Sequence, residues 1–118
     1  MATITPIKPS IAGATVTRVA TAPAGDQIVW EGDDILLHFE NGHASPVTVN
    51  LVPVQSTTEV PGVGPVTNPN RSLAIAAGAE GVFFIPRHQA NAYVNSSRRI
   101  PVTYTDGHAS LTVMAARV

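Results

Sequence analysis

Two short segments of the chain are near copies: Phe39-Glu40-Asn41-Gly42-His43-Ala44-Ser45 and Tyr104-Thr105-Asp106-Gly107-His108-Ala109-Ser110. Each is an aromatic, a spacer and then Asn-Gly or Asp-Gly. Each runs on into an alternating stretch, Val47–Leu51 in one case and Leu111–Ala115 in the other. Asn-Gly and Asp-Gly suit the two positive-φ positions of a type I′ turn, whose twist matches that of paired strands. The pair predicts two β-hairpins and a β protein. Two explanations of the repeat stand side by side: independent use of a good turn, or a pseudo-symmetric pair of hairpins.

The rest of the chain has the same grain. Ile35, Leu37 and Phe39 share one face of a strand, and Leu36, His38 and Glu40 the other. Further short strands are expected over Thr15–Ala20, Gln27–Glu31, Val47–Val52, Leu73–Ala76, Val82–Ile85, Asn91–Asn95, Ile100–Thr105 and Ser110–Val118. Turn signals separate them roughly every 8–12 residues, with no helical period, which reads as a β-sandwich or small jelly roll of about eight antiparallel strands. Ser72–Glu80 has alanines enough for a helical turn, but Gly78 favours strand and turn. Pro6 and Pro9 forbid a helix and predict an extended N-terminal arm over residues 1–14, ahead of one sandwich domain over 15–118. Residues 53–71, with Pro61, Pro65, Pro69, Gly62 and Gly64, predict a long loop, and such loops are usually functional.

At 118 residues the chain makes one domain with a two-layer core. Charged residues are 13% of the chain, about half the usual share, which suggests that part of the surface is covered by something else. A net charge of −1 argues against a general nucleic-acid binder. The absence of cysteine excludes disulfides and thiolate chemistry. Met1–Pro9 has no basic region leading into an apolar run, and no stretch has the ~20 apolar residues of a membrane span, so we expect synthesis and folding in a cytoplasm.

Candidate chemistry is sparse. His38, His43, His88 and His108 are the only soft ligands, and no His-x-His or His-Glu-x-x-His spacing joins them. His43 and His108 would meet only if the two turns share an end of the sandwich. Asp26, Glu31, Asp33, Asp34 and Glu40 crowd one region without the alternate spacing of a calcium loop. There is no Gly-x-Ser-x-Gly elbow. We therefore expect no enzyme, no metal and no cofactor. Two of the six aromatics, Phe39 and Phe84, read as core. Arg98-Arg99 and the other late arginines, set against the acids of 26–40, point to pairing between subunits. Aliphatics outside the strand pattern mark candidate contact points: Ile4, Ile7 and Ile11 in the arm, and Val60, Val63 and Val66 in the loop.

Several blocks together resemble the small β-sandwich head-decoration, or cement, proteins of tailed bacteriophages. They are Ile35–Gly42, Val47-Thr48-Val49, Arg71–Gly78, and the closing Val102-Thr103-Tyr104 with Leu111-Thr112-Val113. The resemblance spans roughly residues 15–118 and rests on turn placement rather than on one diagnostic motif. It implies a non-enzymatic virion protein that binds the major capsid protein on the outside of the shell, commonly as a trimer, without nucleic acid or membrane. The competing class is a carbohydrate-binding or adhesion module of a phage tail or spike, presenting Trp30, Tyr93 and Tyr104 on one exposed face.

Overall fold

The computed structural model describes residues 2–15 and 17–118; Met1, and Val16 of the expected strand Thr15–Ala20, lie outside the described residues. The chain is all-β, as expected. Eleven strands are described: β1 Ala2–Ile4, β2 Val19–Ala20, β3 Asp26–Val29, β4 Ile35–Asn41, β5 Val47–Leu51, β6 Thr57–Val60, β7 Gly64–Thr67, β8 Arg71–Ile75, β9 Glu80–Ile85, β10 Arg99–Thr105 and β11 Leu111–Arg117. One helical turn, α1 Arg87–Ala90, interrupts them. The expected strand at Asn91–Asn95 does not form. Those residues turn out of α1 instead, with the Tyr93 N–H donating to Ala90 O at 2.9 Å.

Two sheets face each other. One has the order β1-β3-β10-β5-β8 and the other β2-β11-β4-β9. Alternation does the work: β4 and β5 read buried, half-buried, buried along their length, so Leu37, Phe39, Val47 and Val49 fill the space between the sheets. Phe39 joins the layers, its ring edge-on to Phe83 of β9 at 6.2 Å and to Tyr104 of β10 at 6.3 Å.

The two repeated turns are not hairpins. β4 and β5 lie in different sheets, as do β10 and β11, so each turn is an arch across the core. Of the four turn residues only Asp106 has a positive φ, +58°. The glycines serve close approach instead. A Cβ on Gly42 would sit 3.1 Å from Ser110 O, and one on Gly107 3.0 Å from Pro23 O. Because β4 pairs with β11 and β5 with β10, the arches stand side by side at one end of the sandwich.

Two further expectations change. Residues 53–71 contain a true hairpin, β6–β7. Pro61 and Gly62 take the central positions of its turn, with φ +79° at Gly62 and the Val63 N–H donating to Val60 O at 3.0 Å. The start of the N-terminal arm belongs to the sandwich. β1 runs parallel to β3, and Ile4 is only 4% exposed. Ile7 then donates its N–H to Ala115 O and accepts from the Arg117 N–H, at 3.0 and 2.7 Å. Residues 2–7 thus strap one sheet to the other. Prolines stop a helix, but they leave the backbone groups of Ile4 and Ile7 free to pair with a neighbouring strand.

Candidate interaction surface

The arch end is held by Asn41. Its side chain is fully buried, and its Nδ2 donates to Ser45 O and Ile75 O at 3.0 Å and to Ala76 O at 3.3 Å. Its Oδ1 accepts from the His43 N–H at 3.0 Å. One amide therefore ties the β4–β5 arch to the β8–β9 connection. The shared end also brings His43 and His108 together, as the sequence allowed, with their rings stacked at 3.8 Å and 10°. His108 Nδ1 accepts the Ser110 N–H at 3.0 Å, which puts its remaining proton on Nε2. Among the described residues no three His, Asp or Glu side chains gather as a metal site.

The acids of residues 26–40, expected to pair between subunits, each have a partner within the chain. Asp26 is fully buried and accepts the Tyr104 hydroxyl at 2.6 Å and the Ala22 N–H at 3.2 Å. Burial first, and then the Asp26 carboxylate, push the Tyr104 phenol well above its ordinary pKa. Glu31 and Asp33 meet Arg117 at 2.6 and 3.4 Å, and Asp34 accepts the Arg87 backbone N–H. Glu40 faces Arg18, at 3.7 Å, on the outer side of the second sheet. There Arg18 also donates to His38 Nδ1 at 2.9 Å; because arginine only donates, His38 keeps its proton on Nε2, 3.7 Å from Glu80.

The side of the molecule away from β1 and β2 is open. β8 and β9 are the last strands of their sheets. Between them runs a groove of about 530 Å³, floored by Leu51, Leu73, Phe83 and Tyr93 and rimmed by Arg71, within the size range of ligand and peptide sites. Arg71 has no acidic partner among the described residues. The β6–β7 hairpin stands next to this groove, exposed along both strands.

The candidate contact residues of the sequence fall into three groups. Ile4 lies in the core, which corrects its assignment as a contact point, while Ile7 is half-buried with its backbone bridged to Ala116. Ile11, Val60, Val63 and Val66 are exposed, with Val63 at the hairpin tip the most open of the three valines at 73%. Arg98 lies over the Trp30 ring at 5.5 Å, while Arg99 donates to Thr3 and Gln27. The three aromatics expected to share an exposed face do not. Tyr93 is buried with its hydroxyl on Pro69 O, Tyr104 packs on Phe39, and Trp30 is half-buried.

Sequence reasoning missed Val82 and Phe84. Both lie on the outer face of edge strand β9, 53% and 55% exposed, so Phe84 is not the core residue expected. Within the run Val82-Phe83-Phe84-Ile85, strand alternation sends only Phe83 and Ile85 inward. Compared with protein-family models, with curated proteins and with solved structures, the chain matches none.

Proposed function

We propose that this chain is a structural protein of a phage head, which binds the outer capsid surface and stabilises contacts between capsomers. The observation that carries this reading is the β6–β7 hairpin. Among the described residues it pairs only with itself, it supplies no core side chain, and it holds Val63 open at its tip. An apolar tip on a separate ribbon serves contact with another molecule rather than folding. The low charge of the chain and its resemblance to decoration proteins point the same way.

In this reading the partner is the major capsid protein, and the contact surface is the hairpin with the exposed loop at Ile11 and the guanidinium of Arg98. The chain works by binding, as a small closed homo-oligomer, and resides in the virion after synthesis in the host cytoplasm. The carbohydrate reading loses its motive once Tyr93 and Tyr104 are turned inward.

Co-sedimentation with capsids assembled from the major capsid protein of the same genome tests this. Saturable binding is expected, weakened at least tenfold by Val63→Asp with no change in melting temperature. A chain that stays in the supernatant at capsid excess, or that binds glycans instead, refutes the reading.

A further inference from the structure

Strand β9 is paired with β4 along one edge, and among the described residues nothing pairs with its other edge. Natural edge strands are usually blunted by lysine, proline or a bulge, because a bare ladder invites another strand. Between Glu80 and Ile85 none of these devices is present, and the one charge sits at the first residue. The outer face of this bare edge carries Val82 and Phe84, each more than half exposed. Half-buried Leu36 stands beside Phe84 in the register with β4. An apolar, unblunted edge of this kind is shaped for a strand.

We infer that a second copy of β9 occupies it, antiparallel about a two-fold axis through Phe83. A two-fold axis normal to the sheet keeps outer faces together, so it must pass through a residue pair. Three registers are available. Centred on Val82, Glu80 of each copy would lie opposite Phe84 of the other, a carboxylate against an aromatic. Centred on Phe84, Val82 would lie opposite Pro86 inside the ladder, and Gly81 and Glu80 would face Arg87 and His88 of α1 rather than a strand.

Centred on Phe83, each Val82 meets Phe84 of the other copy, the β-branched–aromatic cross-strand pair that sheets favour. In the same register Gly81 meets Ile85, and Glu80 falls opposite Pro86 only at the last step of the ladder, where the strand has ended. The apolar run Val82-Phe83-Phe84 is therefore complementary to its own reversal. Two four-stranded sheets become one of eight strands, and the axis lies beside the mouth of the Leu73–Phe83 groove. Isologous pairing of this kind closes at two copies. The inference goes beyond the decoration reading and does not rest on it, and it gives two-fold symmetry in place of the trimer that the resemblance implies.

Sedimentation velocity and light scattering on the full chain from 1 to about 200 µM test it. The expected mass is twice the 12.3 kDa of the chain. Val82→Glu and Phe84→Lys should each raise the dimer dissociation constant at least tenfold, and should lower the melting temperature only by what loss of the dimer accounts for, because both sites are exposed in the single chain. An equimolar mixture of the two variants should dimerise again, since position 82 of one copy then faces position 84 of the other with opposite charge while the second contact stays Val82–Phe84. Four results overturn the inference: a monomer at 200 µM, a mass three times that of the chain, association indifferent to both substitutions, or dissociated variants that fail to rejoin on mixing. The last would mean that a different strand, such as one from a partner protein, takes this edge. Should Phe84→Lys not fold, concentration-dependent protection of the β9 amides in wild-type hydrogen exchange decides the matter. Capsid co-sedimentation of the monomeric variants reads the decoration function separately.

Discussion

Asn41→Asp is nearly isosteric, so it leaves no cavity, but it exchanges a double donor for an acceptor. Three carbonyl oxygens, of Ser45, Ile75 and Ala76, lie 3.0–3.3 Å from the substituted atom. They lose their donor and face a carboxylate on a fully buried side chain. Leaving buried groups unsatisfied costs about 1–3 kcal/mol each, and an uncompensated buried charge about 3–5 kcal/mol. The contributions overlap, so we expect a loss of about 4 kcal/mol at neutral pH. For a domain of this length that lowers the melting temperature by roughly 10–20 °C.

The loss should depend on pH. The folded variant disfavours the carboxylate, so the folded pKa of the new group lies above its unfolded value of about 3.9. The folded state then binds more protons, and stability falls as pH rises between the two values. The deficit against wild type is smallest below about pH 4 and grows as pH rises through the folded pKa, then stays level. Urea unfolding of both proteins from pH 3 to 8 measures it. The matched control is Asp106→Asn in the second arch. That site is exposed with φ +58°, which asparagine accepts, so a change within about 0.5 kcal/mol is expected. A deficit below 1 kcal/mol for Asn41→Asp, or one independent of pH, would refute the account of the arches.

Ile4→Ala should cost about 2–4 kcal/mol in chemical denaturation, because the side chain is a core member, whereas Ile11→Ala should be silent. Removing residues 2–7 should be worse than Ile4→Ala, since the strap between the sheets goes with it. Tyr104→Phe leaves the buried Asp26 carboxylate without its phenol donor and should cost about 1.5–3 kcal/mol at neutral pH. Because the folded phenol pKa is raised, wild-type stability should fall as pH climbs above about 10, the unfolded value, and the variant should lack that component in alkaline unfolding curves. Gly107→Ala sets a Cβ 3.0 Å from the backbone of Pro23, and we expect about 1–3 kcal/mol of overpacking by thermal unfolding.

The strands with one buried face were legible in the sequence, and β4, β5, β10 and β11 fall within a residue or two of their expected bounds. Which sheet each strand joins was not. Asn-Gly before an alternating stretch looks the same whether the next strand pairs with the last one or faces it across the core. The deciding contacts are Asn41 on Ile75 O and Gly42 on Ser110, which are distant in sequence. Proline hid two elements for one reason. Pro65 and Pro6 argue against strands in general, but they are tolerated where no ladder donor is needed, as in the two-stranded β6–β7 ribbon and in the chain just after β1. The candidate surface was half legible. The loop valines stood out as aliphatics outside any period, while Phe84 was lost because an edge strand and a buried strand can share one apolar run.

The most direct measurement of the central claim is a cryo-electron-microscopy map of capsids from the same genome, with and without added protein. The account predicts density for the sandwich on the outer face of the shell, at junctions between capsomers, with the hairpin tip at residues 60–64 against the capsid. Identical shells in the two maps, or density attached to the tail and not to the shell, would contradict it.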